Sequence, residues 1–243
     1  MNFLEILELY LIMCIPLAVM AFAGWLLSLK LGKVSIVDSM WSIYIAVAGV
    51  GFVWHTQVLS NCYVFIACLL LVLWAVRLSG HLTFRNWGKG EDHRYETIGK
   101  NFKPFKYKSL YVVFGLQAFL ASLVALPFLG MAMAEGEVVS WVFYLAAALS
   151  LFGIIFEAVA DYQLYHFLKH RDNTNQVMDK GLWRYTRHPN YFGEFCVWWG
   201  LFGVALSMGA FWTIISPLLM TILLFKVSGV GMMEKTITEN RPK

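Results

Sequence analysis

The residues best equipped for chemistry lie between Gly181 and Gly200, GLWRYTRHPNYFGEFCVWWG. A basic turn with Arg184, Arg187 and His188 leads through Pro189 into an apolar segment that holds one carboxylate, Glu194. Proline suits the first turn of a helix, where its missing N–H would have been unpaired anyway. The free N–H groups and positive dipole end of such a helix, set beside cations, form an anion site. Upstream, Glu157, Asp161 and Tyr165 recur every four residues, which puts them on one helical stripe. Asn190, Glu194 and Trp198 repeat that spacing, and Asp38, Trp41 and Ser42 share a face near the start of the chain. Ionisable side chains inside apolar segments are costly and usually mark a pathway or a site. Here they are Asp38, Arg77, Glu157, Asp161, Glu194, Lys226 and Glu234. A plain membrane helix with basic flanks would account for the motif, and a structural ion pair for any single carboxylate. Neither accounts for the whole cluster.

Carboxylates beside a cationic turn suit a ligand carrying phosphates together with hydroxyl or amide groups. Arg and Lys neutralise diphosphate, while Asp, Glu and Asn accept from ribose or carboxamide. A nucleotide-type cofactor fits that pattern. The chain has no G-x-G-x-x-G between a strand and a helix, no P-loop and no H-E-x-x-H. His166 and His170, four apart, could ligate one ion, although an interfacial polar face on the end of that helix explains them better. Cys14, Cys62, Cys68 and Cys196 show neither metal spacing nor a disulfide framework.

The elements that must hold these residues are membrane helices. The 243 residues are 59% hydrophobic and 14% charged, against about 45–50% and about 25% in soluble domains. Mean hydropathy is +0.63. The expected class is an all-α polytopic membrane protein, a single integral-membrane domain over 1–243. Apolar windows of about 20 residues fall near 4–29, 34–55, 58–79, 108–132, 138–168, 190–207 and 210–232. All 19 Lys and Arg lie on one side or in the helix ends leading there, while Glu5, Glu8, Glu135 and Glu137 mark the other. The positive-inside rule then puts the N-terminus outside and the C-terminus in the cytoplasm, with seven spans. The acidic start, MNFLEILELY, reads as a retained first span and not as a cleaved signal. The polar third loop, Gly80–Lys106, carries the topology signal and an attraction to anionic headgroups. Its aromatic and glycine content also suggests an ordered lid. On this topology every buried ionisable group lies in the inner half of its helix, as a cytoplasm-facing polar cavity would require.

At GLWRYTRHPNYFGE the chain resembles the steroid 5-alpha-reductase superfamily, in particular its short bacterial seven-helix branch. Supporting matches are Glu157-x-x-x-Asp161-Tyr162-Gln163, Gly90-Glu91-Asp92-x-Arg94-Tyr95, and Val227-Ser228-Gly229 with Glu234. The R-H-P-x-Y-x-G core is also similar to one in isoprenylcysteine and phospholipid methyltransferases, which bind S-adenosylmethionine. Asn190 and the Gly193-Glu194 pair bring this version closer to the reductases. The resemblance implies NADPH, with a cofactor-binding part over approximately 150–243 and a substrate part over approximately 1–135. By position Asp161, Asn190 and Glu194 would contact the cofactor, with Glu157 on the same face. Arg184, Tyr185, Arg187, His188 and Tyr191 follow from the motif and from charge, and Lys169 and Arg171 from charge beside it. Lys226 falls near a cofactor-binding Arg of the steroid enzymes. In that family an acid on the second helix and a Tyr on the third polarise the substrate ketone. Asp38 matches the acid, but Trp74 stands near the place of the Tyr. Tyr95 or Tyr44 would have to act instead, so the catalytic candidates are Asp38, Tyr95 and Glu194. The family continues beyond Arg241-Pro242 into a Tyr-rich segment, which implies a short C-terminus here.

Three functions are therefore expected. The first is an NADPH-dependent reductase that transfers hydride to an activated C=C bond of a lipophilic substrate entering from the bilayer, in a bacterial inner membrane. The second is an S-adenosylmethionine-dependent lipid or isoprenylcysteine-type methyltransferase. The third is a transporter or assembly factor with a polar vestibule, against which the absence of visible inverted repeats weighs. No metal and no nucleic acid are expected.

Overall fold

In lipid a chain must satisfy its backbone groups internally, so apolar runs of this length close their hydrogen bonds as helices. The computed structural model describes residues 3–170 and 176–227, and of Phe3, Lys226 and Val227 the backbone alone. Among the described residues the regular elements are all helical. They are α1 (Phe3–Leu31), α2 (Ile36–His55), α3 (Cys62–Asn86), α4 (His93–Asn101), α5 (Phe105–Ser109), α6 (Leu116–Val124), α7 (Leu126–Ala132), α8 (Ser140–His170), α9 (Pro189–Ser207) and α10 (Ile215–Ile222). A π-helical stretch, Leu110–Gly115, joins α5 to α6 without a break.

Five helices are long and apolar enough to cross a membrane: α1, α2, α3, the run Phe105–Val124 and α8. They fit a multi-pass membrane protein. The remaining two expected windows are helical but different in kind. Helix α9 has 19 residues, but Pro189, Asn190, Tyr191 and Glu194 dilute its apolar character. The last window holds the shorter apolar helix Phe211–Phe225. The fourth window, 108–132, is interrupted at Ala125. Pro127 in the first turn of α7 has no N–H to continue the ladder. At 31 residues, α8 is about 46 Å long, longer than the hydrocarbon core of about 30 Å. The expected third loop begins later than Gly80, because α3 runs on to Asn86 before Gly88 turns the chain at φ +72°.

Exposed stripes carry apolar side chains, the reverse of a water-soluble surface. On α1 the stripe is Leu4, Leu7, Leu11, Ile15, Val19 and Phe22, and on α8 it is Leu145, Leu149, Phe152, Ile155 and Val159, each at least 40% exposed. Their spacing of three and four defines one face of each helix. Lipid can solvate such a face.

The chain divides into two compact units, Met1–Gly136 and Glu137–Lys243. In the first, Tyr44, Phe52, Leu71, Trp74, Phe114 and Phe128 are fully buried. Polar ties run between its helices: Tyr10 OH and Ser122 Oγ lie 2.7 Å apart, Trp25 Nε1 donates to the Lys106 carbonyl, and Ser42 Oγ donates to the Ala75 carbonyl. In the second unit α8 and α9 form an antiparallel hairpin, closed where Val139 N donates to the Ser207 carbonyl at 2.9 Å. Their contact is lined by small residues. A Cβ added to Gly153 would lie 2.6 Å from the Gly193 carbonyl oxygen, and one on Gly200 would lie 2.5 Å from Ser150 N. Where lipid removes the hydrophobic drive between helices, such close backbone approach supplies the packing energy.

Candidate functional site

The α8–α9 contact sets the register of the second unit's polar residues. Gly193 sits against the backbone and Cβ of Glu157, so the stripe Glu157–Asp161 of α8 meets the stripe Asn190–Glu194 of α9. Asn190 Nδ2 donates to Asp161 Oδ1 at 3.3 Å, and Trp198 Nε1 donates to Glu194 Oε1 at 3.0 Å. Glu157, Asp161 and Glu194 are 4, 6 and 5% exposed. Interhelical hydrogen bonds in membranes return on average about 0.6 kcal/mol each, whereas burying an ion costs several kcal/mol. Holding two helices together does not explain three buried carboxylates. Tyr165, predicted on the same stripe, is 39% exposed.

The basic turn is held by one side chain and one backbone carbonyl of α8. Gln163 Oε1 accepts from Leu182 N at 2.9 Å, and Trp183 Nε1 donates to the Ala160 carbonyl at 3.0 Å. Gly181 adopts φ +61°, and a Cβ there would lie 2.5 Å from Gln163 Oε1. Helix α9 begins at Pro189 as the sequence suggests. His188 stacks on Tyr191 with ring centroids 5.5 Å apart, and Asn190 Oδ1 accepts from Tyr191 N at 3.1 Å. Arg184, Tyr185, Arg187 and Lys169 are exposed. Arg171, Glu234, the Val227-Ser228-Gly229 motif beyond its first backbone and the Lys226 side chain lie outside the described residues. Beside the turn an open cleft of about 550 Å³ is lined by Tyr162, Gln163, His166, Phe167, Met178 and Lys180, among others, but not by the four residues at the α8–α9 contact. The His166 and His170 rings stack at 4.3 Å. Among the described residues no group of His, Cys, Asp or Glu is arranged to hold a metal ion, and all four cysteines are free.

The first unit gathers its own polar cluster, within which the segment before α4 is fastened onto the start of α2. Glu91 accepts from Val34 N at 2.5 Å and from Ser35 N at 3.0 Å. A carboxylate at a helix N-terminus is favoured by the helix dipole. Asp92 caps α4 by accepting from Arg94 N at 2.9 Å. Asp38 then receives two donors, Arg94 Nη2 at 2.6 Å and Tyr95 OH at 2.5 Å. Tyr95 is 5% exposed. Burial pushes its phenol well up, and the neighbouring Asp38 charge adds to this. Tyr44, the other candidate donor, is fully buried with its hydroxyl 3.4 Å from the Met20 carbonyl, and Trp74, near the place of the family's Tyr, is fully buried too. Arg94, Asp92 and Glu91 carry this cluster. Their signal was the Gly90–Tyr95 motif, but its partner Asp38 is 56 residues away from Arg94, beyond the reach of local spacing.

The helices define the broad class, an all-helical chain suited to a multi-pass membrane protein. A family model described as "Protein of unknown function (DUF1295)" matches residues 24–243, and the chain belongs to that family. No curated protein and no solved structure matches the chain.

Proposed function

We propose that the protein is a membrane-embedded, NADPH-dependent reductase of an activated C=C bond in a lipophilic, steroid-like or other lipid enone. The reading includes seven spans, an external N-terminus and residence in a bacterial inner membrane. Its chief support is the gathering of Glu157, Asp161, Asn190 and Glu194 at the α8–α9 contact, next to a turn rich in Arg. The likeness to the steroid 5-alpha-reductase superfamily, carried by the same residues, points the same way.

The donor set fits the proposed cofactor. Buried carboxylates and an amide accept from ribose hydroxyls and carboxamide N–H, while Arg184, Arg187 and Lys169 are cations suited to phosphate. When bound, NADPH would supply a hydride to the β-carbon of the enone. The protein's part is to orient, to exclude water and to manage a proton. Asp161 and Asn190, already hydrogen-bonded to each other, would hold the polar edge of the nicotinamide riboside. Asp38 and Tyr95 would polarise the conjugated carbonyl.

The test is titration of purified protein with NADPH, read by nicotinamide fluorescence. Saturable binding is expected, weakened at least tenfold by Asp161→Ala and by Asn190→Ala, since a hydrogen bond to a charged group contributes about 1.5–3 kcal/mol. The R-H-P-x-Y-x-G core favours one alternative, an S-adenosylmethionine-dependent methyltransferase. Saturable S-adenosylmethionine binding without NADPH binding would establish it and remove the reductase.

A further inference from the structure

Three charged groups and a phenol make one connected circuit, Asp92–Arg94–Asp38–Tyr95, at the start of α2. Arg94 grips Asp92 with two nitrogens, Nε to Oδ1 at 3.0 Å and Nη2 to Oδ2 at 2.9 Å. The same Nη2 reaches Asp38 Oδ2 at 2.6 Å. Asp38 uses its other oxygen to accept from Tyr95 OH. Among the described residues Arg94 and Tyr95 of α4, with Asp92 just before it, face Asp38. The Asp38 side chain is 13% exposed.

The proton count of this circuit is informative. The Arg94 guanidinium 2.6 Å from Asp38 Oδ2 favours the Asp38 carboxylate, and a carboxylate that accepts from Tyr95 OH leaves the Asp38–Tyr95 pair with a single proton, on Tyr95. A phenol has one hydrogen. To donate it to a substrate carbonyl while keeping its contact with Asp38, Tyr95 needs Asp38 to carry a second proton.

We propose that the Asp38–Tyr95 pair is a one-proton store, discharged at rest, and that Arg94 is the positioning residue that stabilises the discharged state. The inference rests on the reductase reading for its substrate but not for its resting state. Binding of the enone carbonyl draws one proton from solvent onto Asp38, giving Asp38–OH donating to Tyr95 and Tyr95–OH donating to the carbonyl. When bound, the nicotinamide cofactor would supply the hydride for the new C–H bond at the β-carbon, and the electron pair of the C=C bond would pass through the conjugated system to the carbonyl oxygen. Tyr95 passes its proton to that oxygen, and Asp38 passes its own to Tyr95. The pair returns to Tyr95–OH and Asp38 carboxylate, with Arg94 again facing the charge. The enol leaves and tautomerises to the ketone. One hydride and one proton have been added. Asp92, by gripping the guanidinium from the far side, keeps Arg94 aimed at Asp38.

Infrared spectroscopy of the purified full-length protein reads the resting state directly. The wild type at pH 7 should lack a protonated-carboxyl band that Asp38→Asn removes. Arg94→Gln should show such a band, Arg94→Gln/Asp38→Asn should lose it, and Arg94→Lys should resemble the wild type. An Asp38 band already present in the wild type, or none in a folded Arg94→Gln, overturns the proposal. Adding cholest-4-en-3-one without NADPH should raise the Asp38 band in the wild type and take up one proton per protein from weakly buffered solution. Ketone binding without proton uptake also overturns it. In turnover, kcat/KM should fall about tenfold per pH unit on the alkaline limb, and Arg94→Gln should move that limb to higher pH. An unmoved limb would mean that Arg94 is structural only. If the wild type neither binds nor reduces the ketone, the substrate reading fails for that probe, while the resting-state bands still decide the role of Arg94.

Discussion

Asp92 and Tyr95 flank Arg94, and their protons respond to that neighbourhood in opposite senses. The hydrogen bond from the Arg94 side chain holds the Asp92 carboxyl below the ordinary carboxylate range, against a smaller opposing effect of burial. Burial tends to lower the Arg94 guanidinium, but Asp92 and Asp38 outweigh it and the net direction is up. A carboxyl depressed on folding contributes stability that is present above its unfolded value, about 3.9, and lost as pH falls through the folded value. Thermal melts between pH 6 and pH 3 should therefore show a steeper loss for the wild type than for Asp92→Asn. Tyr95 is raised, so its contribution is present below about pH 10 and is lost as pH climbs through the folded value. Tyr95→Phe should flatten the alkaline side of the same melting profile. If either substitution leaves its limb unchanged, the corresponding contact is absent in solution.

At the scale of elements, glycine decides where α8 and α9 meet. A methyl group on Gly200 would collide with Ser150 N and with the Ala146 carbonyl oxygen at 2.7 Å, backbone atoms that cannot rotate away. Gly200→Ala should cost about 1–3 kcal/mol by overpacking and lower the melting temperature in detergent. Because the same contact sets the register of Glu157 and Asp161 against Asn190 and Glu194, it should weaken NADPH binding as well. Gly80 in α3 has nothing within 4 Å of an added Cβ. Gly80→Ala should be neutral or stabilising by up to about 1 kcal/mol. Equal effects from both substitutions would show that the close contact does not govern stability. The loop before α4 supplies the contrasting case of an element fixed by polar groups. Glu91 and Asp92 tie it to α2 and to its own helix.

For the whole molecule, the proposed topology makes a direct prediction. Cysteines placed at single positions in a Cys62→Ser background should react with a membrane-impermeant maleimide according to side. That background is needed because Cys62 is exposed. Glu135→Cys should label in intact spheroplasts, and Lys89→Cys only after permeabilisation. Labelling of both from outside would discard the seven-span arrangement. The distribution of Lys and Arg carries this expectation, while five helices meet the length and apolarity of a span. Helix α9 is the interesting one, because the polar residues that lower its apolarity are those assigned to the cofactor.

The sequence alone determined the helical class, the start of α9 at Pro189, and the two polar stripes on α8 and α9. These features depend on local composition and on the 3.6-residue period, which act over one or two turns. It also pointed to Asp38 and Tyr95 as separate candidates through likeness to a family. Only the tertiary structure joined them and added Arg94, because a guanidinium shared by Asp38 and Asp92 leaves no periodic trace over the 56 positions that separate Arg94 from Asp38. The same holds for the glycines of the α8–α9 contact. A glycine in a helix looks like a weakness until the neighbouring backbone is seen occupying the space its side chain would need.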